Sequence, residues 1–253
     1  MQDWLIQVWN DIVLMWNDFK DEFVLNFVAD NRWRYLTDGL RITLTVTFFA
    51  LLLGIAIGVV VAVIRSTHDK TIEDMNPGFG KFLLTFFDKV CRVYLTVIRG
   101  TPVVVQLMLI YYVILASLDS KVVIASLAFG INSGAYVAEI IRSGIMSIDK
   151  GQFEAGRSLG FNYVQTMWHI IIPQAFKTIL PTLANEFIVL IKETSVAGYV
   201  ALQDLTKGGD IIRSRTYSAF MPLIAVALIY LVIVMFFTWL VGILERRLRN
   251  SDH

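Results

Sequence analysis

The sequence predicts an all-α membrane protein with five transmembrane helices. Of its 253 residues, 56% are hydrophobic and 17% are charged, whereas a soluble domain carries about 25% charged residues. The apolar residues gather into runs long enough to cross the ~30 Å hydrocarbon core of a bilayer. The net charge of +1 gives no sign of nucleic acid binding. Cys91 is the only cysteine, which excludes an intrachain disulfide.

Residues 1–39 form a polar, acidic segment before the first apolar run. Their apolar side chains recur every three or four positions, from Trp4 and Val8 to Phe19 and Phe23. This spacing places them on one helical face, and tryptophan favours the headgroup zone. We expect an amphipathic, extracytoplasmic helix on the membrane surface. A soluble cap packed on the helix bundle is the alternative.

The transmembrane domain is expected to cover residues 40–248. Its predicted spans are 40–64, 90–117, 122–145, 181–202 and 219–244, and the polar segment 146–180 is too long for a simple turn. With the N-terminus outside, the inner segments hold nine Lys and Arg residues against seven in the outer ones. That bias, the acidic N-terminal segment and the arginines after the fifth span predict an outside N-terminus and a cytoplasmic C-terminus.

The polar segment contains two short helices by local sequence. Residues 154–159 suit one helix, and Gly160 can adopt the left-handed conformation that ends it. Asn162 can cap a second helix. We expect that second helix to stop near Ile172, because a residue before proline is disfavoured in the α region. Such a hairpin exposes apolar groups, as a partner-binding surface does.

Residues 154–173 resemble the EAA loop of ATP-binding-cassette (ABC) import permeases. The spacing of the family pattern fits throughout, with Gly156 in place of alanine and Ile172 in place of leucine. The resemblance implies that this loop is a coupling segment that docks on an ATPase, with Gly160 setting the bend and Ala155 and Gly156 allowing close approach. The docking residues it implies are Glu154, Ala155, Gly156, Leu159, Gly160, Phe161 and Pro173.

Three further motifs resemble the polar amino acid permeases of the glutamine, histidine and arginine type. They are Arg99-Gly100-Thr101-Pro102 with Gln106, residues 132–139, and residues 190–195. The resemblance covers about residues 36–248 and implies the fold of a type I ABC importer permease, with five spans and cytoplasmic coupling helices. Pro102 is expected to kink the second span, either to open a cavity or only for packing.

Polar side chains inside the predicted spans are candidates for the substrate pathway, since such groups usually face a cavity or each other. They are Gln106, Asn132, Ser133, Tyr136, Glu139, Lys192 and Glu193. We favour Asn132, Glu139 and Gln106 over Lys192 and Glu193, which lie near the middle of the predicted fourth span. Ser133 can instead join helices by hydrogen bonding, and Glu139 can form an interfacial pair with Arg142.

The predicted function is that of a permease subunit that imports a polar amino acid. The sequence lacks a phosphate-binding loop, so ATP and Mg²⁺ are expected on a separate ATPase and the chain is not expected to be an enzyme. The histidines are scattered, and no metal site is expected. The resemblance implies two ATP-binding subunits, an extracytoplasmic solute-binding protein, a second permease copy or paralogue, and a prokaryotic cell membrane with its lipid. An ion-coupled secondary transporter is the alternative, although the inverted repeat usual in that class is not visible.

Overall fold

The structure, a computed structural model, describes residues 2–249, and the side chains of Trp4 and Val8 and all of His253 lie outside the described part. All the regular secondary structure in that part is helical. The α-helices are α1 (Gln2–Phe23), α2 (Trp33–Thr71), α3 (Phe79–Gly100), α4 (Val103–Leu109), α5 (Lys121–Met146), α6 (Lys150–Ser158), α7 (Tyr163–Thr166), α8 (Ile172–Glu193), α9 (Leu205–Thr216) and α10 (Phe220–Arg249). Wider π-helical turns follow α1, α4 and α7, at Val24–Val28, Ile110–Ile114 and Met167–Ile171.

Five helical elements account for the five predicted spans. The helices α2, α5 and α10 are each long and apolar enough to cross a bilayer, and α3 and α4 form a bent pair that counts as a fourth. The fifth is α8, whose 22 residues span ~33 Å. Its polar side chains make its mean hydropathy lower than that of the other four elements. The chain thus belongs to the predicted all-α membrane class.

The helix ends differ from the predicted spans where a helix continues into a stretch with charged residues, because the spans were predicted from apolar runs. α2 extends well beyond residues 40–64 at both ends, and α3 begins at Phe79 instead of residue 90. α8 runs from Ile172 to Glu193, so it starts and stops about nine residues before the predicted span 181–202, and a 3₁₀ turn follows it. Pro181 is inside α8, where surrounding helices offset the lost hydrogen bond. α9 has no counterpart among the predicted elements.

The N-terminal segment contains the predicted helix. α1 covers Gln2–Phe23, and the described side chains from Trp9 to Phe23 are all exposed, Trp16 and Phe19 among them. Exposure along this whole stretch argues against the alternative of a soluble cap packed on the bundle. A bilayer surface for α1 stays a prediction.

Glycines bring α2 and α5 together along the centre of the bundle. Gly54 of α2 packs against Ser133 and the amide of Gly134 on α5. The pairs Gly54/Gly58 and Gly130/Gly134 each have the four-residue spacing that lets helix backbones approach. A Cβ on Gly134 would lie 2.9 Å from the side chain of Ile57 on α2, and one on Gly58 would overlap the side chain of Val137 on α5. The close approach at Gly134 and Gly58 therefore extends along one seam between α2 and α5.

Gly58→Val tests this seam. The added side chain meets backbone, since a Cβ there lies 2.9 Å from the amide nitrogen of Ala138, and overpacking of this kind costs about 1–3 kcal/mol. We expect a lower melting temperature in detergent. Gly242→Val is the matched control, because a Cβ at Gly242 of α10 meets nothing within 4 Å. Equal melting temperatures for the two variants would contradict the seam.

Candidate docking and translocation site

The predicted coupling segment folds as two helices joined at Gly160. α6 begins after Asp149, whose carboxylate accepts from the amide of Gly151. Gly160 has φ +81°, so the predicted left-handed bend is confirmed. Asn162 and Gln165 form a reciprocal capping box at the start of α7, with both bonds at 2.9 Å, as local sequence predicts.

The two faces of α6 have different partners. Phe153 and Gly156 are buried, and a Cβ on Gly156 would lie 2.7 Å from the side chain of Thr166. Gly156 thus brings α6 close to α7 within this chain, and the prediction that it faces the ATPase is wrong. Glu154 and Ala155 are exposed, and Leu159 is 71% exposed. These three, with half-buried Phe161, leave an outer face open for a partner.

The second helix does not stop before Pro173. Ile172 is α-helical (φ −58°, ψ −45°), and α7 continues through the π-helical turn Met167–Ile171 into α8. Pro173 occupies the first turn of α8, where a missing N–H is tolerated, and the wider preceding turn adjusts the backbone to the ring. α7 of the coupling segment and the fourth span α8 are therefore one helical rod.

Gln106 stabilises the break in the second span. Thr101 is extended, Pro102 starts a new helix, and α3 and α4 meet at 108°. The Nε2 of Gln106 donates to the carbonyl of Ile98 (2.7 Å) and to the carbonyl (3.0 Å) and hydroxyl (2.7 Å) of Thr101. The kink expected at Pro102 is confirmed, and Gln106 binds the carbonyls of Ile98 and Thr101 at the break.

Asn132 and Ser133 also form hydrogen bonds inside the bundle. The Nδ2 of Asn132 donates to Oε1 of Gln106 (2.9 Å), and the hydroxyl of Ser133 donates to Oε1 of Glu186 (2.8 Å). Gln106, Asn132 and Ser133 are 8%, 3% and 0% exposed. They form two separate hydrogen-bonded pairs, one between α4 and α5 and one between α5 and α8, and none of the three lines the two cavities described below. Their place in the pathway stays a prediction.

An open cavity of about 480 Å³ lies between α3, α5 and α8. Tyr136 and Glu139, two of the residues predicted for the pathway, line it opposite Thr178, Thr182 and Glu186 of α8. Arg99 also lines it, and its guanidinium lies 5.6 Å from the centre of the Tyr136 ring. A second cavity of about 490 Å³, which Arg65 and Arg92 line, shares Arg99 and Glu139 with the first. A cation and two carboxyl groups thus face one space.

Glu139 joins this space to a network of ion pairs at the coupling end of the spans. It pairs with Arg65 (3.0 Å) and Arg142 (3.7 Å), which confirms the predicted i, i+3 pair. Asp88, with a side chain 3% exposed, contacts Arg92 at 2.7 Å and Arg65 at 3.6 Å. Three arginines and three carboxylates, those of Asp69, Asp88 and Glu139, alternate across α2, α3 and α5.

The same network brings His68, Asp69 and Asp88 together, with ligand atoms within 4.8 Å of one another. Sequence reasoning placed no metal site here, because the histidines are scattered along the chain. The carboxylates of Asp69 and Asp88 already contact guanidinium groups of Arg92, Arg65 and Arg142. The contacts that these carboxylates make in the structure are therefore ion pairs with arginines.

Lys192 and Glu193 lie at the end of α8 and not in the middle of a span. Neither lines the two cavities, so the structure does not bring them together with Tyr136 and Glu139. Sequence reasoning missed Glu186. A carboxyl group inside the predicted fourth span, four and eight residues after Thr182 and Thr178, was the signal, since an ionisable residue there marks a functional site.

Residues 79–250 match the family described as the binding-protein-dependent transport system inner membrane component. The arginine transport system permease protein of Bacillus subtilis is 35% identical over 221 residues, which are 86% of this chain and 94% of that protein. The chain belongs to the polar amino acid ABC transporter permeases. The L-cystine transport system permease protein of the same organism is 33% identical over 88% of this permease and 90% of its own length.

Solved structures place this permease in the same fold. A crystal structure of an amino acid ABC transporter with histidines has a TM-score of 0.75 and 39% identity, covering 87% of this chain and 98% of that one. An inward-facing methionine ABC transporter has a TM-score of 0.69 over 85% and 97% of the two chains. At 19% identity it supports the fold alone. Membership implies an ATPase and a solute-binding protein as partners, and it does not favour the ion-coupled alternative.

Gln106→Leu separates a structural role from a role in transport. The leucine leaves the carbonyls of Ile98 and Thr101 and the amide of Asn132 without this partner, and each buried unsatisfied group costs about 1–3 kcal/mol. We expect a lower melting temperature than for Gln7→Leu, a control at an exposed position of α1. Normal stability with lost uptake would instead assign Gln106 to the substrate.

Proposed function

We propose that this permease imports a polar amino acid across a prokaryotic cell membrane, driven by an ATPase on separate subunits. The observation that carries the proposal is the rod formed by α7 and α8, which joins the exposed face of the coupling segment to the cavity lined by Glu186. The relatives named for arginine and cystine support an amino acid as the substrate.

The cavity offers partners for both ends of a zwitterion. Arg99 lines it without a carboxylate partner in residues 2–249, so its guanidinium is available to the substrate carboxylate, which a guanidinium binds in a fork. Glu186 and Glu139 face the same space and accept from the ammonium group. Tyr136, Thr178 and Thr182 add an aromatic face and hydroxyl groups for the substrate side chain.

Coupling follows from the continuity of the rod. Two ATPase subunits, which bind the ATP and Mg²⁺, dock on the outer face of α6 around Ala155 and Leu159. When they close, α6 and α7 move with them, and α8 carries Thr178, Thr182 and Glu186 relative to Tyr136 and Glu139 on α5. The cavity then opens alternately to the two sides of the membrane, as in other transporters whose helices move as rigid bodies.

The orientation of the chain in the membrane decides on which side the solute-binding protein lies. We place the N-terminus outside and the C-terminus in the cytoplasm, on the side of the coupling segment. A solute-binding protein delivers the amino acid from outside, and a second copy or a paralogue of this permease completes the pathway. The cavity beside Arg99 is open on the surface of the single chain, as expected of a pathway that two permease chains enclose.

Leu159→Glu tests the docking surface. A charge at this exposed apolar position should cost about 2 kcal/mol or more of binding free energy at a contact centre. We expect the ATPase that co-purifies with the tagged wild-type permease in mild detergent to be lost from the variant. Leu118→Glu is the matched control, because Leu118 is exposed at the other end of the spans. Equal recovery of the ATPase with both variants would exclude Leu159 from the docking surface.

Glu186→Gln tests the cavity. Glutamine still accepts from Ser133 but loses the negative charge, and a hydrogen bond to a charged group contributes about 1.5–3 kcal/mol. Uptake of a labelled amino acid by proteoliposomes should therefore show a KM raised about tenfold or more. Glu193→Gln, two turns along α8 and outside the cavity, should leave KM unchanged. The reverse result would move the pathway to the end of α8, to the candidates Lys192 and Glu193 that the sequence analysis ranked lower.

A further inference from the structure

A groove of about 400 Å³ runs along the outer surface of the bundle, apart from the translocation cavity. α2 and α8 form its walls, and Ile141 and Ile145 of α5 lie between them. The lining is apolar over nearly its whole length, and Val59 and Val63 of α2 are 43% and 55% exposed along it. An apolar groove on the outside of membrane-spanning helices faces the hydrocarbon of the bilayer.

The groove has the length of one lipid leaflet. Its α2 wall extends from Ile55 to Thr67, which is ~18 Å of helix, and half of the hydrocarbon core is ~15 Å. Ile55 lies towards the middle of the spans, and Thr67 lies next to the coupling segment. A single acyl chain that enters from the leaflet on the coupling side therefore fits the groove from end to end.

A polar pocket of about 350 Å³ continues the groove at the end near the coupling segment. The two share Tyr163, and Lys70, Arg157, Phe153 and Asp74 help to line the pocket. Within residues 2–249, neither Lys70 nor Arg157 pairs with a carboxylate, and the ammonium of Lys70 lies 4.4 Å from the Phe153 ring. Two cations against one carboxylate give the pocket a net positive charge.

The groove and the polar pocket each contain a buried hydroxyl group without a hydrogen-bond partner. Ser66 is 1% exposed and lines the groove, Thr166 is 2% exposed and lines the pocket, and neither side-chain oxygen has a hydrogen-bond partner. Such groups are costly unless a ligand or water satisfies them. Burial raises the pKa of the Tyr163 phenol, against the opposing effect of the Thr67 hydroxyl, so Tyr163 stays a neutral donor.

We propose that the groove and pocket together bind one anionic phospholipid, with an acyl chain between α2 and α8 and the phosphate near Lys70 and Arg157. The hydroxyl groups of Tyr163 and Thr166 donate to the phosphate and ester oxygens. A protein helix in the groove would satisfy the apolar lining but would leave the cations and hydroxyl groups of the pocket without partners. The lipid thus holds α2, α8 and the coupling segment in one arrangement.

Native mass spectrometry of the permease, purified with its co-purifying subunits, tests the site. The complex is stripped of lipid and then given phosphatidylglycerol or phosphatidylcholine. Val59→Trp fills the groove, and Val60→Trp places the same side chain on the neighbouring face of α2, outside the groove. We expect the wild type and Val60→Trp to retain one more phosphatidylglycerol per permease than Val59→Trp. Val63→Trp, one turn further along the groove, should behave as Val59→Trp does, in case one variant does not fold.

The headgroup is tested separately with Lys70→Gln. Removing one cation near a headgroup should lower the preference for phosphatidylglycerol over phosphatidylcholine about fivefold. Lys89→Gln removes an exposed cation of α3 outside the pocket and should keep the preference. Equal lipid counts for Val59→Trp and Val60→Trp would overturn the lipid site. Unchanged lipid counts with loss of a co-purifying subunit from Val59→Trp would show that a protein fills the groove. An unchanged preference in Lys70→Gln would overturn the assignment of the headgroup.

Discussion

The architecture depends on the close contact between α2 and α5. Glycines on both helices let the backbones meet where any side chain would collide with the opposite helix, as at Gly58 and Gly134. In a bilayer, helices gain little from apolar contact alone, so this packing supplies much of the attraction between them. The contact also fixes the positions of Ser133 and Glu139, because both lie on α5 within two turns of the seam.

Polar side chains in the bundle divide into those that hold the helices and those that face open space. Gln106 and Asn132 satisfy a broken helix and each other, while Tyr136, Glu139 and Glu186 face the cavity. Every buried polar group in hydrocarbon needs a partner. The backbone carbonyls at the break before Pro102 therefore need a nearby hydrogen-bond donor, and the side-chain amide of Gln106, four residues later, donates to them.

One helical rod links the docking face to the cavity, and the ion pairs around Arg65 and Asp88 lie beside it at the coupling end. Glu139 is a member of both groups, since it pairs with Arg65 and lines the cavity. In the proposed coupling, a movement of the coupling segment reaches the cavity along α8 and also alters the ion pairs of α5. The groove with its polar pocket lies on the outer side of the same rod.

The sequence by itself determined the membrane class, the five crossing elements, the bend at Gly160, the cap at Asn162 and the kink at Pro102. Each follows from local chemistry. The length of the apolar runs gives the membrane class and the crossing elements, and the left-handed φ open to glycine gives the bend. An unpaired backbone amide at the helix start gives the cap, and the missing N–H of proline gives the kink. The tertiary structure decided that Gly156 faces inward and that the helix continues through Pro173. It also decided that Gln106 bonds to Asn132, and that Ser133 bonds to Glu186 beside the cavity. Periodicity places a residue on a face of its helix, but the neighbouring helices determine whether that face meets a side chain, a cavity or lipid.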